Sequence, residues 1–296
     1  MIAVIINPSA GRARRVPVHE RAGLAAAIIE RHGHRAEVFV TERPGHACDF
    51  AKAAAARGAR LVVAWGGDGT INDVASALAF GQQAAMGIIP AGSGNGLARA
   101  LGIDTDPARA LADAVAAPPR RIDVGELGGR LFVNVAGIGF DAHVAARFNR
   151  PGNPTRGLAG YALSTARGLM SYSPRHYEIV SAGRRRSVRA LFVAIANGTE
   201  FGNQIRIAPG ASVDDGVLDL VVVEERSRLT TIWNMRRLLT NSIEAAPIWS
   251  CERVREATIK SDAPMAFHVD GEPVTGGTEL QVRIHPAALQ VCVRPR

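Results

Sequence analysis

Long apolar runs are missing from this chain of 296 residues. No window approaches the ~18 consecutive apolar residues of a membrane span, so any meeting with a bilayer is expected from its surface. The opening MIAVIINPSAG has no basic leader and too short an apolar run for a signal peptide. Aromatics are scarce, at 5%, and none interleave with basic residues along a strand. That argues against stacking on single-stranded nucleic acid, and nucleic acid is not among the expected partners. The three cysteines, Cys48, Cys251 and Cys292, stand far apart. They make neither a disulfide framework nor a zinc site, and the expectation is reduced, buried thiols in a cytoplasmic protein. The histidines lack H-E-x-x-H or other metal spacing, and no G-x-x-x-x-G-K-S/T motif is present, which excludes a P-loop.

What is present is a large apolar fraction, 47%, enough for one big domain or two smaller ones. Lys and Arg total 35 against 27 Asp and Glu, a formal charge of +8. A basic balance suits anionic partners such as nucleotides, nucleic acid or anionic lipid headgroups, without choosing among them.

The first 122 residues alternate. Apolar runs at 2–7, 35–41, 59–65 and 85–91 read as buried strands. Amphipathic stretches at 18–33, 46–58, 70–79, 95–102 and 107–117 read as helices. This pattern predicts a parallel sheet with helices on both faces, and ligands in such sheets sit at the carboxyl ends of strands. After PPRR (118–121) strands follow one another with GG, AG and DG punctuation, as in antiparallel hairpins. The expected fold is α/β plus β: an N-terminal nucleotide-binding domain over 1–122, then an antiparallel β-sandwich over 123–296. Helices are expected near 157–171 and 228–245, and the tail ALQVCVRPR is expected to return to the first domain.

Three glycine-rich turns fall on the carboxyl edge of that sheet: INPSAGRARR (6–15), GGDGT (66–70) and PAGSGNGLAR (90–99). Glycine lets a ligand approach the backbone, and free N–H groups at a helix start attract phosphate. Thr70 is expected to cap the helix after GGD. Asp68 is then the odd residue, because a carboxylate repels phosphate unless a cation mediates. Mg²⁺ binds through one or two carboxylates plus substrate phosphates, so Asp68 is expected to hold the metal of a bound nucleotide through water. Gly92, Gly94 and Gly96 free the backbone of the third turn, where Ser93 and Asn95 offer polar contacts. The edge reads as a nucleotide cleft. GIGFDA (137–142) fits G-x-G-x-x-A but lacks a βαβ context, and reads as a turn.

NPSAG, GGDGTIND, PAGSGNGLAR, GIGFDA, IAPGASVDDGVLDL and HVDGEP, in that order, resemble the diacylglycerol kinase and sphingosine kinase-like lipid kinases, in their soluble bacterial branch. The match runs from Asn7 to beyond Pro273. The resemblance implies a nucleotide-binding domain followed by a β-sandwich, with the active site between them, and ATP and Mg²⁺ as cofactors. Asn7, Gly66, Gly67, Asp68, Gly69, Thr70, Ile71 and Asn72 correspond to ATP-loop positions, with Thr41, Ser93, Gly94 and Asn95 as further nucleotide contacts. Asp123 corresponds to an aspartate linked to the Asp68 network. Asp215 corresponds to the side-chain ligand of a structural Mg²⁺, with carbonyls of Ser212 and Val217. Glu272 corresponds to the general base. One departure concerns Gly96, where bacterial members usually carry aspartate; GSGNGLA resembles the sphingosine kinase version and leaves the lipid acceptor open.

The expected activity is therefore ATP-dependent phosphorylation of a membrane-lipid hydroxyl, on a diacylglycerol or a sphingoid or ceramide-type acceptor. The alternatives are an NAD-kinase-like enzyme for a soluble acceptor and a non-catalytic nucleotide or lipid sensor. The protein is expected in the cytoplasm, peripherally associated with anionic membrane. Its oligomeric state stays open, a homodimer among the arrangements allowed. The stretch 229–249 carries Leu, Ile, Trp and Met at helical spacing and suits either a bilayer contact or the core. RRRSVR (184–189) suits a solvated hairpin or an anionic surface.

Overall fold

The computed structural model describes residues 1–11, 16–81, 83–148, 172–201, 205–227, 230, 233–234, 237 and 240–294. The helix expected near 157–171 lies outside them; of the one expected near 228–245, residues 230, 233, 234 and 237 are described and helical. The chain divides into two compact units: Met1–Val124 together with Pro286–Arg296, and Gly125–His285.

In the first unit strands and helices alternate: β1 (Ile2–Ile6), α1 (Val18–Arg31), β2 (Ala36–Val40), α2 (His46–Ala56), β3 (Leu61–Gly66), α3 (Asp68–Leu78), β4 (Ala85–Pro90), α4 (Gly96–Ala100) and α5 (Pro107–Ala116). The strands pair in parallel in the order β2-β1-β3-β4. β1, β3 and β4 are buried along their whole length, which is why each is a continuous apolar run. Ala25, Ile28 and Ile29 on α1 pack into the same core as Val4 and Trp65. Asp106 caps α5 by accepting the Arg109 N–H at 2.8 Å, with Pro107 at the first helical position. β2 lies on one side of β1 and β3 on the other. Chain order therefore reverses at β1/β3, the switch point where ligands bind in such sheets.

The second unit is antiparallel. Its strands are β5 (Pro119–Leu127, which begins in the first unit), β6 (Arg130–Phe132), β7 (Val135–Gly139), β8 (Arg175–Ser181), β9 (Arg184–Ala196), β10 (Leu218–Glu224), β11 (Trp249–Val254), β12 (Glu256–Lys260), β13 (Ala266–Val269), β14 (Glu272–Thr275) and β15 (Glu279–Cys292). The main path runs β14-β13-β7-β9-β8-β12-β15, and β10 joins β9 to β11. A short helix α6 (Phe140–Phe148) follows β7. GIGFDA is thus more than the turn expected of it: it ends a strand, bends at Gly139 (φ +92°) and starts a helix. The last residues of β15 leave this unit for the first, where Val291 pairs in parallel with Met86.

β11 was not foreseen: the stretch 229–249 reads as a helix, but Ile243–Ala245 is a 3-10 turn and a strand begins at Trp249. The thiols also depart from expectation. Cys292 is buried, Cys48 half-buried and Cys251 exposed. No helix among the described residues is long and apolar enough to cross a membrane.

Candidate active site

The three glycine turns meet at the switch point. A Cβ on Gly92 would stand 2.7 Å from the Gly67 Cα, and one on Gly11 would collide with the Ala91 carbonyl. Backbone packs on backbone here, and only glycine permits it. Asn7, just past β1, anchors the cluster. Its Nδ2 donates to the Thr70 hydroxyl at 2.9 Å and its Oδ1 accepts the Ser9 N–H at 2.8 Å.

α3 starts at Asp68, two residues earlier than expected, with Gly67 at its N-cap in extended conformation. Thr70 is therefore not the cap. It sits inside the first turn, so tightly against Gly66 that a Cβ there would lie 2.5 Å from the hydroxyl. Ile71 belongs to the core, 1% exposed, rather than to a ligand surface. Asn72 Oδ1 accepts from the Ser76 hydroxyl at 3.4 Å.

Asp68 does something its spacing does not announce. Its two carboxylate oxygens accept the backbone N–H groups of Asn95 and Gly96, both at 2.9 Å. One side chain therefore stitches the second glycine turn to the third. A Cβ on Gly94 would collide with that carboxylate. Burial pushes the Asp68 carboxyl up, against those two donors and the Arg99 guanidinium, which favour the anion. Asn95 (φ +56°) spends its side chain within its own loop, accepting from Gly92 N–H and donating to Gly92 O, each at 2.9 Å. The outward polar contact expected of Asn95 is thus replaced by an internal staple. Ser93 beside it is exposed. Thr41 is buried just past β2, its N–H on the Ile6 carbonyl at 3.0 Å. Asp123 is buried on β5 and accepts the Ala287 N–H at 2.7 Å, which fastens the returning tail.

Sequence reading missed Arg21. It lies on the core face of α1, 3% exposed, and donates to the Asn7 carbonyl at 3.2 Å. Among the described residues its Nε has no hydrogen-bond partner, and burial pushes its pKa down. A buried cation under the first glycine turn is not announced by a helical H-E-R-A.

In the second unit Glu272 opens β14 and is exposed. Before it, Asp270 (φ +47°) and Gly271 (φ +87°) make the two-residue hairpin between β13 and β14. The Asp270 carboxylate accepts three backbone N–H groups, from Val133 at 2.9 Å, Asn134 at 2.9 Å and Val135 at 3.0 Å.

The loop expected to hold a structural Mg²⁺ is closed by an ion pair. Asp215, expected to coordinate it, pairs instead with the Arg253 guanidinium and accepts the Val217 N–H at 3.3 Å. Ser212 donates its hydroxyl to Asp214 at 2.7 Å. Arg253 thus balances the Asp215 charge in this loop. Among the described residues no cluster of three or more His, Cys, Asp or Glu is arranged to hold a metal.

Two family models match. Residues 1–127 match the diacylglycerol kinase catalytic domain, and residues 134–293 match the YegS C-terminal NAD kinase beta sandwich-like domain. The chain belongs to the YegS-like lipid kinase family. A "Probable lipid kinase YegS-like" of Pseudomonas aeruginosa is 33% identical over 282 residues, 92% of this chain and 89% of the relative. One of Chromohalobacter salexigens is 32% identical over 252 residues, 84% of this chain and 81% of the relative. A solved diacylglycerol kinase structure from Bacillus anthracis superposes with a TM-score of 0.75 at 18% identity, across 99% of this chain and 97% of that one. Yeast NADH kinase shares the fold more distantly, with a TM-score of 0.51 at 12% identity, across 100% of this chain and 84% of that one. In this YegS-like chain the glycine cluster lies in the part that matches the diacylglycerol kinase catalytic domain, and VDGEP in the sandwich-like domain.

Proposed function

We propose that this YegS-like chain transfers the γ-phosphoryl group of MgATP to the hydroxyl of a membrane lipid, a diacylglycerol or a sphingoid or ceramide-type acceptor. The observation that carries the reading is the meeting of three glycine turns at the β1/β3 switch point, tied by Asp68 to Asn95 and Gly96. Phosphoryl transfer needs positioning and charge neutralisation more than covalent chemistry. Backbone N–H groups of these turns and the start of α3 receive the phosphates. Arg21 and Arg99 add positive charge beneath them, and Asp68 meets the metal end of the substrate through water. Glu272 takes the proton of the acceptor hydroxyl, held for that task on a two-residue turn.

Membrane contact is peripheral and electrostatic, on the strength of the +8 charge. RRRSVR is not its basis. Arg184, Arg185, Arg186 and Arg189 pair with Glu252, Glu178, Glu224 and Glu225. Activity on vesicles is expected to rise with anionic lipid at low salt and to lose that dependence at high salt.

The test is incubation with γ-labelled ATP and a total lipid extract, with NAD offered in parallel, followed by mass spectrometry of labelled products. Label in a phospholipid supports the reading. Label only in NADP, or none, sinks it.

A further inference from the structure

The second unit holds a buried histidine–aspartate pair that the proposed chemistry does not use. His268 Nε2 stands 2.7 Å from the Asp141 carboxylate, with side chains 5% and 6% exposed. They come from β13 and the first turn of α6. The space between strand and helix is made by Gly137 on β7, opposite His268 in the ladder. A Cβ there would collide with Asp141 and stand 2.7 Å from Nε2. The other ring nitrogen is also engaged: Nδ1 faces the Gly271 N–H at 3.2 Å. An N–H needs an acceptor, so Nδ1 carries no proton and Nε2 donates to Asp141. Gly271 is the residue before Glu272.

We infer that Asp141 and His268 form a positioning pair for Glu272, fixing the turn that presents the base; this rests on the reading of Glu272 as base. The turn is held from two sides. Asp270 anchors its first residue to the chain between β6 and β7 through three N–H bonds. His268 anchors its second residue and is itself oriented by Asp141. A carboxylate that fixes an imidazole's tautomer through one nitrogen decides what the other can accept. Breaking the chain at Asp141 or His268 leaves Glu272 in place in the sequence but free to wander. Misplacement by about 1 Å costs up to roughly a hundredfold in rate.

The arrangement has a pH signature. The charged groups that act on His268 are Asp141 from α6 and Asp270 from the turn. β7 presents Gly137 and β14 presents Pro273, neither titratable, and the Phe201 ring lies 6.5 Å away. Burial lowers the imidazole pKa, but Asp141, with help from Asp270, outweighs it and raises the value above normal. A second proton lands on Nδ1 and breaks the contact with Gly271. Turnover is therefore expected to fall as pH drops through this raised value. The pair's contribution to stability runs the other way. It is fully present below the ordinary histidine pKa of about 6.5 and is lost as pH rises through the raised folded value.

The test uses the full-length enzyme with vesicle lipid and ATP. Asp141→Asn keeps an acceptor for Nε2 but removes the charge, so the acid limb of the kcat profile is expected to move to lower pH. His268→Gln keeps a donor toward Asp141 but loses the acceptor for Gly271. Its kcat is expected to fall roughly ten- to a hundredfold, with KM for ATP unchanged. In a Glu272→Gln background the same His268→Gln change is expected to cost less than about twofold. An unmoved acid limb in Asp141→Asn, or a His268→Gln loss that adds fully to that of Glu272→Gln, overturns the pair while leaving Glu272 as base. A Glu272→Gln enzyme at full turnover overturns both.

Discussion

Two Asp-Gly steps, one in each unit, use the same chemistry for different ends. Asp68-Gly69 opens a helix and Asp270-Gly271 makes a hairpin. Each aspartate collects backbone N–H groups from a distant loop, two for Asp68 and three for Asp270. Asp270 is 7% exposed, and all its charge serves internal donors. Asp68 as a residue is only half-buried, at the carboxyl end of the parallel sheet. A carboxylate surrounded by N–H donors is thus a stitch in both places. They differ in burial, Asp68 being the less enclosed residue.

The most damaging way to break this comparison is Asp270→Ala. Hydrogen bonds to a charged acceptor are worth about 1.5–3 kcal/mol each, so losing three together is expected to cost roughly 4 kcal/mol or more. Denaturant unfolding should show the loss, with binding of ADP retained by whatever fraction stays folded. Asp68→Asn comes next. It keeps one acceptor oxygen, so the melting temperature is expected to move by only a few degrees, roughly 1 kcal/mol. Turnover with MgATP is expected to fall about a hundredfold or more, of the order seen when one preorganised charge-stabilising contact is lost. If Asp68→Asn instead unfolds the protein as Asp270→Ala does, the two aspartates are the same device.

The smallest effect concerns a third aspartate. Asp215 pairs with Arg253 at the surface, where Arg253 is 59% exposed, and such pairs contribute about 0.2–1 kcal/mol. Arg253→Gln is therefore expected to shift melting only slightly. Added Mg²⁺ or EDTA should leave the melting temperature of the unaltered chain unchanged. A Mg²⁺-dependent rise, visible by scanning calorimetry, would restore a resident ion to this loop.

The first unit was legible because a parallel sheet buries its strands on both sides. IAVII, LVVAWG and AMGIIP each stand out as an apolar run between helical patterns. β11 was hidden because WSCERV mixes polar and apolar residues without clean alternation on a partly exposed strand, after a stretch with helical spacing. Helix starts slipped where glycine let the chain turn early, as at Gly67. The residues of the site fared less evenly. Asp68 and Glu272 sit on short motifs with visible spacing. Asp141 and His268 stand 127 residues apart, so nothing local joins them. A histidine inside MAFHV and an acid inside GIGFDA were the available hints, each a polar group in an apolar run that needs a partner. The pairing of Asp215 was hidden for a similar reason, since its partner Arg253 lies 38 residues downstream.

The division of labour is tested most directly by measuring turnover and ATP affinity in one preparation of Glu272→Gln. General-base help is worth roughly 10²–10⁴-fold, and the account predicts a loss of turnover in that range with ATP affinity within about twofold of the unaltered enzyme. Full turnover, or a loss of ATP binding in place of a loss of rate, would contradict it.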